Sequence, residues 1–288
     1  MLKKEEAAVQ FHRRRLLRLT LFWWNEYAEN TKNDLGFNVP KIYWNYTTKK
    51  ILTLDKVEGI SIREQQKLQE QGIDLKKLSK NLIQFFLKQA VRDGFFHGDM
   101  HQGNLKCRSD GTLIVMDFGI MGRIDEYTRR TYAEILIGFL RRDYLRVAEV
   151  HFEAGYVPEN QNVQEFSQAL RSVGEPIFGM EASDISMAKL LARLLEVTEQ
   201  FGMETRTELL LLQRTMVVVE GVSRSLDANM NMWETARPVV EKYIAETLGP
   251  KAIFKDILKS VQVLRKLGPQ LPKFLEDLIR QYKYDDKN

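Results

Sequence analysis

Three oxygen-bearing side chains recur at fixed intervals in the middle of the chain. Residues 95–104 read Phe-Phe-His97-Gly98-Asp99-Met-His101-Gln-Gly103-Asn104, and an apolar run then leads to Met116-Asp117-Phe118-Gly119. Asp99 and Asn104 are five positions apart, and Asn104 and Asp117 are thirteen apart. Two carboxylates and a carboxamide suit a hard cation such as Mg2+, which keeps waters and substrate phosphates as its other ligands. The matching chemistry is phosphoryl transfer, whose transition state is stabilised mainly by positioning and charge neutralisation. In this reading Asp99 orients or deprotonates the attacking hydroxyl or water, and Asn104 and Asp117 hold Mg2+. Gly119 lets the backbone turn sharply after the metal ligand. His101 gives cationic help to a phosphate only when protonated.

Two other readings of the same residues stand beside this one. Asp99, Asn104 and Asp117 could serve only as loop caps and turn formers next to a buried strand. His97, Asp99 and His101 could instead bind zinc, although only His12 and His151 remain as further imidazoles.

Several elements must position the cluster. Asp74 is suited to cap a helix whose Leu75, Leu78, Leu82, Phe85 and Phe86 share one face, with Gly94 as its stop. A hairpin turning at Asp110-Gly111 leads into the buried strand Leu113-Ile-Val-Met116. Upstream, Val39–Trp44 and Lys50–Asp55 are rich in strand formers, with Thr47-Thr48-Lys49 between them to turn a hairpin. From Asp125 onward the pattern is almost entirely helical. It covers Tyr132–Leu140, the Met187, Leu190, Leu191, Leu194 and Leu195 series, and Leu209–Val219, before which Thr205 and Glu208 match a capping box. Residues 1–30 lack Gly and Pro and predict a helix carrying Arg13, Arg14, Arg15 and Arg18, then Leu21-Phe22-Trp23-Trp24. The arginines read as a solvated face or as a surface for anionic lipid. The aromatic stripe reads as core packing.

Bulk properties narrow the class. The 288 residues are 44% hydrophobic and 28% charged, the composition of a folded protein rather than a disordered one. The net charge of +4 leaves no general footprint for nucleic acid. A lone Cys107 cannot form an internal disulfide, which favours the cytoplasmic side. The most apolar stretch, Leu209–Val219, is interrupted by Gln213-Arg214 and is too short to span a bilayer. No secretory signal is expected at the N-terminus.

The spacing of Asp99, Asn104 and Asp117 matches the catalytic Asp, metal-binding Asn and Asp-Phe-Gly aspartate of protein kinases. Residues from about Ala28 to Gly249 resemble, more specifically, the UbiB/AarF family of atypical kinases. The stretches that carry the resemblance include Val39–Trp44, Leu52–Gly59, Phe95–Leu105 and Met116–Asp125, with Ala148–Pro158 and Met216–Leu226 far from the catalytic loop. The resemblance implies an α+β, mostly α, protein-kinase-like C-lobe with two small hairpins and a helical extension. It implies Mg2+ and ATP as cofactors, and a role in ubiquinone synthesis. Its implied partners are isoprenoid-quinone precursor lipids, quinone-biosynthesis enzymes and a peripheral membrane contact. Asp55, Lys56 and Val57 fall where the family's hinge would meet adenine, and His97, Gly98, Gly103, Phe118 and Gly119 would support the site.

This organisation predicts an atypical helical segment over 1–30, N-lobe strands and hinge over 31–60, a kinase-like C-lobe with helical extension over 61–249, and an amphipathic tail over 250–288. The family's Lys-x-Gly-Gln segment, alanine-rich phosphate loop, strand lysine and Glu-x-Asp motif have no counterpart among these residues. The expectation is therefore a chain shortened at both ends, with reduced catalysis. Three functions stay open at this point: a UbiB-type kinase or ATPase, a non-catalytic scaffold, and a small-molecule phosphotransferase resembling the aminoglycoside and choline kinases.

Overall fold

The computed structural model describes residues 7–11, 16–48, 51–176, 187–203 and 206–247. Residues Arg13, Arg14, Arg15, Lys49, Lys50 and Thr205 lie outside them, as do 248–288 with the whole of the expected tail. The side chains of Arg18, Met187, Leu190 and Leu191 also lie outside.

The N-terminal residues do not form one helix. Strand β1 (Ala7–Phe11) pairs antiparallel with β3 (Ile51–Asp55), and helix α1 (Leu16–Thr31) follows β1. Strand pairing overrides local helix propensity here because β3 offers an open edge to a run that can extend. Along α1, Leu21, Trp24, Tyr27 and Thr31 are buried, whereas Phe22 is exposed and Trp23 half-buried, so only Leu21 and Trp24 of the expected stripe pack as core. Val39–Trp44 is likewise not a full strand. Lys41 and Tyr43 bond through their backbones to Asp55 and Thr53 at 2.9 and 2.8 Å, and a 3-10 turn at Trp44–Tyr46 opens the expected tight hairpin into a wide loop.

A four-stranded sheet in the order β2-β7-β6-β4 joins β2 (Phe37–Asn38), β7 (Leu113–Val115), β6 (Leu105–Cys107) and β4 (Ile60–Ser61). The β6–β7 hairpin turns at Asp110-Gly111 as the sequence predicts, and its inner residues are wholly buried. Two further strands, β5 (Phe95–His97) and β8 (Met121–Arg123), pair antiparallel with His97 opposite Met121.

The short helix α2 (Gln65–Glu70) precedes α3 (Leu75–Leu87), which Asp74 caps by accepting from the Lys77 N–H at 3.0 Å. Helix α3 buries the predicted Leu78, Leu82, Phe85 and Phe86. It then widens into a π-turn over Lys88–Asp93, closed by Gly94 at φ +63°. A side chain there would run into the Ile124 carbonyl. The π-turn directs Arg92 onto Asp34, at 2.8 and 3.0 Å, and onto Asp93 at 2.6 Å, tying the segment after α1 to the end of α3.

The rest is helical: α4 (Glu126–Arg141), α5 (Tyr144–Glu153), α6 (Val163–Gly174), α7 (Met187–Gln200), α8 (Thr207–Leu226) and α9 (Met232–Thr247). Asp125, Asp143 and Asn162 cap α4, α5 and α6 through their side chains. Helix α8 packs along α3, and Ser79 donates to the Ser223 carbonyl at 2.9 Å. Residue Arg206 precedes α8 without a side-chain cap, and Glu208 pairs with the Arg206 guanidinium at 2.9 Å. Residues 1–241 make up one compact unit, to which every site discussed below belongs. No helix among the described residues is long and apolar enough to cross a membrane.

Candidate active site

His97 is the anchor from which the candidate catalytic loop, residues 98–104, is built. It is fully buried, its Nδ1 accepts from the Asp99 N–H at 3.0 Å, and its Nε2 lies 3.2 Å from the Met116 carbonyl. An acceptor at one nitrogen and a carbonyl at the other require the neutral tautomer with the proton on Nε2. Burial pushes the imidazole below its ordinary proton affinity, against the opposing pull of Met116, Asp117 and Asp99. One side chain thereby sets the start of the loop bearing Asp99 against the strand end that delivers Asp117. With both nitrogens used internally, His97 is no zinc ligand, and the His-Asp-His reading fails on its first member.

The loop's interior is similarly tied. Asn104 is buried, and its Nδ2 donates to the Asp99 carbonyl at 2.9 Å, which leaves Oδ1 as the free oxygen. The Met116 N–H donates to the Asn104 carbonyl at 2.9 Å, so the residue before Asp117 is fastened to the residue that shares its expected cation. His101 caps the 3-10 turn Gln102–Asn104, its Nδ1 accepting from the Gly103 N–H at 2.9 Å. Its Nε2 sits 3.6 Å from the Asp99 carboxylate, both side chains being about half exposed at 46% and 40%. Gly103 is required by this cap, since a Cβ there would stand 2.6 Å from the imidazole.

The sharp turn expected at Gly119 falls instead on Asp117, whose φ is +59°. Aspartate tolerates the left-handed region better than most residues. Gly119 serves the carboxylate in another way: a Cβ there would lie 3.2 Å from Asp117 Oδ1. Phe118 is wholly buried, with its ring 4.5 Å from Trp24, 4.9 Å from Tyr27 and 5.2 Å from His97. Helix α1 therefore clamps the Asp-Phe-Gly segment, and Trp24 is itself held by a 2.8 Å bond from its Nε1 to the Pro40 carbonyl.

Residues Asp55, Lys56 and Val57 lie at the end of β3, apart from this cluster. Asp55 accepts from the Tyr43 hydroxyl at 2.7 Å and the Lys41 N–H at 3.1 Å, and exposed Lys56 pairs with Glu58 at 3.6 Å. The Val57 carbonyl accepts at 3.4 Å from Nζ of Lys106, which lies in β6. Sequence reasoning passed over the support from α8. Thr215 Oγ1 lies 3.1 Å from the Gly98 carbonyl, and Gln102 Nε2 donates to Ser225 Oγ at 3.0 Å. The one available signal was a threonine within the apolar run Leu209–Val219.

The donor set fits a hard cation. Asn104 Oδ1 is left free by its own amide's bond, and among the described residues no donor is paired with the Asp117 carboxylate. Residues 24–151 match the ABC1 atypical kinase-like domain, and residues 170–231 match the UbiB helical domain. The chain belongs to the UbiB/ABC1 family of atypical kinases. The fold of this UbiB/ABC1 chain, α+β and mostly α, is kinase-like. It superposes on the solved complex of Rv3197 with erythromycin from Mycobacterium tuberculosis with a TM-score of 0.53 at 19% identity, over 77% of this chain and 57% of that one. The chain thus spans little more than half the length of that protein. The bifunctional kinase-methyltransferase WbdD gives a TM-score of 0.32 at 16% identity, over 74% of this chain and 46% of that one. The helical-domain match accounts for α8, the element that supports the catalytic loop from below.

Proposed function

We propose that the chain binds Mg2+ and ATP as a UbiB-type atypical kinase, hydrolysing ATP or transferring its phosphoryl group in support of isoprenoid-quinone synthesis. The observation that carries this reading is the coupled pair of bonds from Asn104 Nδ2 to the Asp99 carbonyl and from the Met116 N–H to the Asn104 carbonyl. Together they hold a base, a carboxamide oxygen and a carboxylate on one loop and one strand end. Asn104 Oδ1 and Asp117 would hold Mg2+, whose chemistry is to neutralise charge on the phosphates. Asp99, half exposed, orients the attacking hydroxyl or water, and His101 stands beside it as a neutral or protonated partner. Asp55, Lys56 and Val57 would contribute to the adenine end. Quinone-precursor lipids, quinone-biosynthesis enzymes and a membrane surface are the partners this reading calls for. The helical domain over 170–231 argues against an aminoglycoside- or choline-kinase substrate.

Thermal unfolding with and without Mg2+-ATP tests the reading. A ligand present at about 100 times its dissociation constant adds about 2.7 kcal/mol, a shift of several degrees for a chain of this size. The shift should require Mg2+ and vanish in Asp117→Asn. A cooperative transition that ignores Mg2+-ATP would overturn nucleotide binding by this chain.

A further inference from the structure

We propose that Arg63 receives an anionic group, phosphate or carboxylate, on the molecule whose hydroxyl meets Asp99, so that the phosphoryl acceptor is an acidic alcohol rather than a neutral one. The inference rests on the phosphoryl-transfer reading above and adds the acceptor's charge to it. Arg63 comes just after β4, whose Ser61 stands opposite Lys106 of β6. Ile62 between them is wholly buried, and its N–H donates to the Leu105 carbonyl at 3.3 Å. That bond holds the exposed Arg63 beside the loop that ends at Asn104. Its guanidinium lies against Gly103: a Cβ on that glycine would stand 3.2 Å from Arg63 Nη2 and 2.6 Å from the His101 ring. His101 Nε2 is in turn 3.6 Å from the Asp99 carboxylate. Guanidinium, imidazole and carboxylate therefore succeed one another along the open side of the loop, ending at the carboxylate that would orient the attacking hydroxyl.

What separates Arg63 from an ordinary surface arginine is that the carboxylates around it are already taken. Adjacent Glu64 pairs with Lys67, Glu58 with Lys56 and Asp99 with His101. Among the described residues no acceptor is paired with the Arg63 guanidinium. The neighbouring basic groups are committed elsewhere. Lys106 donates to the Val57 carbonyl. His101 Nδ1 accepts from the Gly103 N–H, so in this arrangement the ring's one proton is on Nε2, facing Asp99, and the imidazole brings no charge. Arg63 is thus the permanent, unspent positive charge on this side of the loop, because a guanidinium stays protonated. Its planar fork of donors matches the oxygens of a phosphate or a carboxylate. Asp99 repels a second anion, so an acidic alcohol fits only one way round, with its anionic end at Arg63 and its hydroxyl at Asp99.

The test uses the full chain without Mg2+ or ATP, which separates it from nucleotide binding. Glycerol 3-phosphate, glycerate and glycerol share a short hydroxyl-bearing frame and differ in the charged group. In NMR titrations the two anions should give saturable shifts of the Gly103 amide and the Arg63 Nε–H, and glycerol should give none. The anion that binds more tightly identifies the group the site takes. Arg63→Gln should weaken anion binding at the Gly103 amide about tenfold, the ratio expected for one charge-assisted hydrogen bond. Arg63→Lys, which keeps the charge and loses the fork, should fall between. Absence of saturable shifts at Gly103 with both anions, equal binding of glycerol, or anion binding that survives Arg63→Gln would each overturn the proposal. A chain that gives the Mg2+-ATP thermal shift and fails this titration keeps the nucleotide reading and loses the acidic acceptor.

Discussion

His97 shows how much of the site rests on one residue. It is neutral because it is buried, and it must be neutral to accept from Asp99 and donate to Met116 at once. That fixes the sign of a pH effect. The unfolded chain takes up a proton on this histidine below about pH 6.5, whereas the folded chain resists until lower pH. Between those two points the unfolded state binds more protons, so stability is full above the unfolded value and falls as the pH drops. The urea midpoint should therefore decline between pH 7.5 and 5.5. His97→Gln should be less stable at pH 7.5 but should decline less, keeping only the share from His151, whose proton affinity burial also lowers. An unchanged decline in His97→Gln would contradict the neutral assignment. The same scale explains why the motif was legible in sequence but Asp117's conformation was not. Spacing reveals which side chains can converge. Which residue of Met116-Asp117-Phe118-Gly119 absorbs the turn depends on Phe118 being drawn into the aromatic cluster of Trp24 and Tyr27.

Among the elements, the joint between α1 and α3 carries the largest electrostatic stake. Arg92 is partly exposed, but the Asp34 and Asp93 side chains it holds are only 8% and 10% exposed. Burial raises the Asp93 pKa despite the opposing pull of Arg92, a sign that the carboxylate depends on its partner. Removing one member of a buried pair strands the other, at a cost of about 3–5 kcal/mol. Arg92→Ala should lose stability of that order in urea unfolding, and α1 would come loose from the Asp-Phe-Gly segment it clamps. Replacing Arg92, Asp34 and Asp93 together with apolar residues of similar volume should recover much of the loss. A single substitution costing under about 1 kcal/mol would place this cluster with ordinary surface pairs instead. The helix over 75–87 and its Asp74 cap were legible because periodicity and capping are local. The π-turn that directs Arg92 was not, since it answers to Asp34, 58 positions away.

At the scale of the molecule, the kinase-like and helical regions are bonded too closely to behave as separate domains. Ser79 reaches Ser223, Gln102 reaches Ser225 and Thr215 reaches Gly98, so α8 is joined to α3 and to the catalytic loop along much of its length. Apolar contact between α3 and α8 adds to these, with Leu78, Leu82, Leu212 and Val219 all buried. Native-state hydrogen exchange should show the core amides of α3 and α8 opening with the same free energy, that of global unfolding. Earlier opening of α8 would mean the helical region is an independent unit, and the catalytic loop's support would then be conditional.

The order of residues alone made the candidate phosphoryl-transfer cluster and most of the local structure legible. Asp99, Asn104 and Asp117 at their intervals, the Asp74 cap, the Asp110-Gly111 hairpin and the helical pattern after Asp125 all depend on residues near one another in the chain, where propensity and periodicity act. That residues 7–11 extend as a strand was settled by long-range pairing, because the choice depends on the edge of β3. The fold likewise set Trp24 and Tyr27 against Phe118, placed α8 under the loop, and buried the indole N–H of Trp233 with no hydrogen-bond partner among the described residues. Each of these is a contact between residues distant in sequence, and its free energy exists only once the chain has brought them together.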